Sequence, residues 1–322
     1  VQLLPIMKQW MGLSLGLACA ACLDSGTDGL LVPLTVRDDT DLPQAPLRDG
    51  RLVHLETCGD ASSPVVIVLH GGPGGDYRDL LSLEELSDDY FLVFWDQRGT
   101  GLSERVPDGE LDGPTYLDDL DFLGDEFSPD APFHLIGISW GGAYATYYLQ
   151  QHAERLDRVI LAEPSALNAT AARSANVASV DFFDGELHQY LNTTDYLLPT
   201  GDARADYFYV IGLAGTTKRD ALLGYDFWRL GFRANYRINR WQGNFDKSYT
   251  FDFTQGLDET ESEVLFITGK SDGRLGHDFQ VEYQVPYFPH VEVFHMEDAE
   301  HVELLRRPES LAAIRDFLGG AE

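Results

Sequence analysis

HLIGISWGGAYA, residues 134–145, starts as an apolar run and ends among small residues that open a helix-like stretch. With Phe133 the first half is continuous rather than alternating, the pattern of a strand covered on both faces. Between the halves stands Ser139, with Gly137 and Gly141 on either side. A chain passing from strand to helix so abruptly must turn tightly, and glycines remove side chains that would collide with neighbouring backbone. That relief lets a hydroxyl project from the carboxyl edge of a sheet. It also sets the amide of Trp140 near a helix N-terminus, where the backbone carries partial positive charge.

Outward from this turn the same rhythm repeats. Apolar, strand-like runs occur at 52–56, 64–70, 90–96, 133–138, 157–163, 263–269 and 291–296, and helix-like stretches at 77–89, 115–127, 141–156 and 308–318. Strand and helix in alternation predict an α/β fold: a mostly parallel sheet with helices on both faces. The rhythm fails once, from Pro164 to Ser262, where about 100 residues carry scattered aromatics. A stretch of that length inside one sheet predicts an inserted lid subdomain rather than a loop. The expected divisions are 1–22, 23–50 (a tether and entry loop rich in Asp, Pro and Gly), 51–163 (first part of the core), 164–262 (the insertion) and 263–322 (second part of the core).

The 322 residues carry a formal net charge of −30, with 23 Lys and Arg against 53 Asp and Glu. Such a chain repels a polyanion, so nucleic acid is excluded as a partner. Residues 1–22 differ from the rest: one positive charge (Lys8), no acid, and an apolar stretch from Trp10 to Ala21 ending in small residues. That is the pattern of an export signal, too short to span a bilayer as a helix. Cys22 after small residues resembles the lipidated cysteine of bacterial lipoproteins, with Cys19 as a second candidate, which predicts membrane attachment. An uncleaved segment packed on the domain is the other reading. Loss of residues 1–21 would leave Cys22 and Cys58, no framework for disulfides.

Gly137-Ile138-Ser139-Trp140-Gly141 matches G-x-S-x-G, in which a serine sits on a strand-to-helix elbow as a nucleophile. The bare pattern is weak; its context strengthens it. HGGPGG (70–75) follows an apolar strand, and its glycines let backbone N–H groups approach an oxyanion, with Gly72 the expected donor and Trp140 the second. DQRGTGLS (96–103) reads as structural, Asp96 and Arg98 holding a turn. A serine hydroxyl needs a base, and the base an acid to orient it. In the order Ser, acid, His, the loop after strand 263–269 offers Asp272 and the loop after strand 291–296 offers His301. Asp278 falls inside the next helix, Glu297, Asp298 and Glu300 crowd His301, and His70 and His295 read as packing or hydrogen-bonding residues.

HGGPGG, DQRGTGLS, GISWGG, GKSD and the closing AEH, in that order, resemble the proline iminopeptidase type of α/β-hydrolase fold enzyme. The resemblance covers roughly 50–163 and 263–318. It implies a peptidase that releases an N-terminal residue without metal or cofactor, with Ser139 as nucleophile, Asp272 as acid, His301 as base and the Gly72 and Trp140 amides as oxyanion hole. In that family lid glutamates, one beside a Trp-Glu pair, bind the free amino group of the peptide. Here Trp228 is followed by Arg229, which leaves Glu163 or Asp226, with Trp228, as candidate substrate contacts.

Three readings of function stay open: a peptidase acting on small peptides, an esterase or lactonase using the same three residues on a small acyl substrate, and a silent binding lipoprotein. A serine at the elbow excludes chemistry that needs an aspartate nucleophile there. No Cys or His spacing suits zinc, and GGPGG lacks the Lys-Ser/Thr ending of a phosphate loop.

Overall fold

A computed structural model describes residues 32–175, 202–215, 227–271 and 275–319. Eight strands form one sheet: β1 (Gln44–Pro46), β2 (Leu52–Cys58), β3 (Val65–Leu69), β4 (Phe91–Trp95), β5 (Phe133–Ile138), β6 (Leu156–Ala162), β7 (Glu263–Thr268) and β8 (Val291–His295). Their spatial order is β1-β2-β4-β3-β5-β6-β7-β8. β1 and β2 pair antiparallel, as do β2 and β4, and the rest of the sheet is parallel.

The continuous apolar runs are explained by period-two geometry with a core on each side. Val65, Ile67 and Leu69 of β3, with Leu135 of β5 and Phe266 of β7, enter one core; Val66, Val68, Ile136 and Leu265 enter the other. The first core is closed by helices α1 (Gly113–Phe127) and α2 (Trp140–Gln151), through Tyr116, Leu120, Ala143 and Tyr148. The second is closed by a 3-10 helix (Tyr77–Leu86) and a C-terminal helix (Pro308–Gly319), through Leu80, Leu83, Leu311 and Ile314. Helix α1 begins where Asp112 accepts a 3.0 Å bond from the Thr115 amide and Pro114 fills the first turn, a capping arrangement that satisfies an otherwise orphaned donor.

Two expectations differ from what is seen. The segment assigned to a tether, 23–50, contributes β1, whose Gln44 and Pro46 pair with His54 and Leu52. Thr35 and Val36 are buried, and the Val36 amide donates 2.8 Å to the Leu102 carbonyl. Within the stretch 77–89, Tyr77–Leu86 forms the tighter 3-10 helix, its first turn tied by Asp76 accepting from the Arg78 amide at 3.1 Å.

Within the insertion the described helices are α3 (Ala169–Ser174), α4 (Asp202–Gly215) and α5 (Phe232–Trp241); α6 (His277–Tyr283) follows β7, and the C-terminal helix is α7. Two buried carboxylates fasten the insertion to the core. Asp206 of α4 accepts from Arg105 Nε (3.1 Å), Arg229 Nε (2.8 Å) and the Phe232 amide (2.9 Å). Asp76 accepts from the amides of Trp228 (2.7 Å) and Arg229 (3.0 Å). Burial, with the neighbouring Asp96 carboxylate adding to it, pushes Asp76 up to about 7.

Ile67 is fully buried between Val93 and Leu135, so Ile67→Ala is expected to cost about 2–5 kcal/mol, read as a fall in the urea midpoint. Asp76 holds its proton more tightly folded than unfolded. Its contribution to stability is therefore complete below the ordinary carboxylate range, about pH 4, and is lost as pH rises through about 7, because stability falls with pH where the native state binds more protons. Urea midpoints between those limits should decline less steeply in Asp76→Asn than in the parent; parallel declines would show Asp76 ionised throughout.

Candidate active site

Ser139 has φ +55° and ψ −121°, a strained conformation for a residue with a Cβ. Bonds on both sides impose it. The Ser139 amide donates 3.0 Å to Ala162 at the end of β6, and the Ser139 carbonyl accepts from Gly142, Ala143 and Ser165. The flanking glycines are there for close approach: a Cβ on Gly137 would lie 2.4 Å from the Gly141 carbonyl oxygen, and one on Gly141 would lie 2.1 Å from that of Leu69. The elbow is thus wedged between β5, β6 and the end of β3.

The glycine loop after β3 lies beside it. A Cβ on Gly71 would stand 3.2 Å from Ser139 Cβ and 3.8 Å from its Oγ. Gly72 follows with φ +129°, open to glycine alone. The insertion holds the far side of the loop: the Gly231 amide donates 2.8 Å to the Gly74 carbonyl, and Asn235 Nδ2 donates 2.5 Å to that of Pro73. His70 is neutral, burial lowering its pKa. Its Nδ1–H donates to the Gly71 carbonyl (2.9 Å) and its Nε2 accepts from the Gln97 amide (3.1 Å).

Gln97 was not singled out by the sequence, yet its side chain donates to the His70 carbonyl (3.0 Å) and accepts from Trp140 Nε1 (3.3 Å). It links the glycine loop to the residue after Ser139. Its neighbours stabilise the turn. Asp96 accepts from Tyr77 and Leu102 amides and pairs with His54, and Arg98 makes a two-pronged, buried pair with Asp119.

His301 opens a short 3-10 helix (His301–Glu303) after β8, stabilised by a reciprocal cap between Glu300 and Glu303. Its Nδ1 lies 2.6 Å from Oε2 of Glu163, the residue following β6. Glu163 is 2% exposed and has φ +38°. Its other oxygen accepts from the Gly269 amide at 2.7 Å. A carboxylate at Nδ1 makes that nitrogen the donor and leaves the Nε2 lone pair free to take a proton.

Ser139, the Gly72 loop, the Trp140 amide and Glu163 therefore stand at the carboxyl ends of adjacent parallel strands, with His301 tied to them through Glu163. The ring of Trp228 packs edge-on to His54 and Tyr77 and beneath Arg78, and its amide is bound by Asp76, next after the glycine loop. Asp272, Asp226, Cys19 and Cys22 lie outside the described residues. The clue to the place of Glu163 was a carboxylate ending an apolar strand, since acids are seldom fully buried without a partner.

A family model described as alpha/beta hydrolase fold matches residues 64–308. Proline iminopeptidases are similar over shorter stretches. That of Xylella fastidiosa (strain Temecula1) is 33% identical over 116 residues, 35% of this chain and 36% of that protein. That of Lactobacillus helveticus is 28% identical over 149 residues, 44% of this chain and 46% of that protein. The chain thus spans less than half the length of these curated relatives. Solved structures are similar over more of the chain. The proline iminopeptidase of Mycobacterium smegmatis has TM-score 0.58 and 16% identity, covering 86% of this chain and 97% of that one. An esterase from Exiguobacterium antarcticum has TM-score 0.60 and 17% identity, covering 87% and 100%. Identities this low bear on the fold alone. Sheet order, serine elbow and family match agree: the chain belongs to the alpha/beta hydrolase fold family.

Proposed function

We propose that the chain is a serine hydrolase that cleaves an amide or ester bond through an acyl-enzyme, as an aminopeptidase of the proline iminopeptidase type. The observation that carries this reading is Ser139, held at φ +55° on the sheet rim beside the glycine loop. As Ser139 Oγ attacks the carbonyl carbon, its proton passes to His301 Nε2 and an O–C bond forms. The Gly72 and Trp140 amides take the charge that develops on the carbonyl oxygen, a contribution of about 10²–10³-fold for one such donor. Collapse of this intermediate breaks the C–N or C–O bond, and His301 returns the proton to the leaving amine or alcohol. Water, deprotonated by His301, then releases the acyl group and restores Ser139.

Aminopeptidase action needs a carboxylate for the substrate ammonium, and two observations favour a second reading, an ester hydrolase of the same mechanism. Both oxygens of Glu163 are engaged, by Gly269 and His301. Arg229 stands after Trp228 and is locked onto Asp206. Export through residues 1–22, with acylation of Cys22, completes the proposal and rests on composition.

Ser139→Ala is expected to lower turnover by at least about 10⁴-fold and to abolish labelling by a fluorophosphonate; an active variant would discard the mechanism, and an unlabelled, folded parent would favour a silent binding protein. Proline β-naphthylamide and p-nitrophenyl acyl esters separate the two substrate readings. Turnover of the amide, lost when the proline nitrogen is acetylated, upholds the aminopeptidase; turnover of esters alone selects the esterase.

A further inference from the structure

We infer that Glu163, and not Asp272, is the carboxylate that orients His301 and stabilises its charged form during the reaction, an assignment that rests on the serine-hydrolase reading above. The sheet itself brings Glu163 there. Ile138 pairs with Ala162 in the parallel register of β5 and β6, so the next residues, Ser139 and Glu163, leave neighbouring strands side by side. Both turn into the left-handed region, at φ +55° and +38°. Glycine is the residue suited to such a turn; a glutamate kept there has its side chain's position as compensation.

That position joins three loops. The Glu163 amide continues the β6–β7 ladder by donating 3.0 Å to Ile267. Oε1 accepts from Gly269 just past β7, and Oε2 meets His301 Nδ1 just past β8. The loops after β7 and β8 also hold each other, the Lys270 amide donating 3.0 Å to Ala299, and Lys270 Nζ pairs with Glu300 rather than with Glu163. Among the described residues, the hydrogen-bond partners of the buried Glu163 carboxylate are thus one amide and the imidazole. When Ser139 gives its proton to Nε2, a positive ring forms 2.6 Å from a carboxylate oxygen, in surroundings where such a charge pair is strong. The same bond fixes the tautomer that Ser139 requires. Glu163 is in this sense a positioning residue, and it is unavailable for a substrate ammonium.

The test compares Glu163→Gln, Asp272→Asn and Ser139→Ala in the full chain, by the rate of fluorophosphonate labelling at Ser139 and by the pH dependence of p-nitrophenyl acetate hydrolysis. Glu163→Gln should slow both reactions by about 10³–10⁴-fold. It should also move the acid limb of kcat/KM to lower pH, because loss of a neighbouring carboxylate disfavours the imidazolium; a purely structural role would leave that limb in place. Asp272→Asn should stay within about tenfold of the parent with an unmoved limb, an outcome that can be read even if Glu163→Gln fails to fold. A hundredfold or greater loss in Asp272→Asn, or an unmoved acid limb in folded Glu163→Gln, would overturn the assignment. Reactivity persisting in Ser139→Ala would instead remove the hydrolase reading beneath it.

Discussion

The close approach of three backbones at Ser139 is the constraint on which the site depends. β5 ends, α2 begins and the end of β3 passes so near that a Cβ on Gly141 would overlap the Leu69 carbonyl oxygen at 2.1 Å. The sheet can bring chains this close because its parallel strands are buried on both faces and fixed in register by side chains such as Ile67 and Val68, one in each core. A register slip would exchange those faces and bury neither set properly. The bonds that hold the serine at φ +55° are thus themselves held in place by the two cores.

From that point the chemistry is assembled by neighbours in space. Gly71 lies against Ser139 because β3 adjoins β5, and Glu163 stands beside the elbow because β6 adjoins its other edge. His301 arrives from two strands further, and the short helix it opens is capped by Glu300 and Glu303. The acidic residues around the imidazole therefore divide by role: some close the turn, and one, from across the sheet, reaches its Nδ1.

How much of this could be read from residues alone follows from the range of each interaction. The strands from β2 onward and the elbow were legible because local patterns encode them: continuous apolar runs, then glycines around a serine. β1 was not, since Gln44–Pro46 is three residues with a glutamine and a proline and its pairing is specified by the neighbour. The 3-10 character of Tyr77–Leu86 was hidden because apolar spacing suits either kind of helix. His301 was found from its loop, but the carboxylate at its Nδ1 comes from 138 residues earlier. Sequence order points to Asp272, which lies outside the described residues; the nearness of Glu163 to His301 comes from strand adjacency, which is not written along the chain. Gln97 escaped for the same reason: its partners, His70 just past β3 and Trp140 at the start of α2, lie in other elements.

The bonds from Gly231 and Asn235 to Gly74 and Pro73 have a mechanical corollary. The start of α5 is riveted to the strip of backbone beside the serine, so hinging this helix outward would loosen that strip at the same moment. Asn235, which lies in the insertion, helps set the rigidity of the backbone around Ser139.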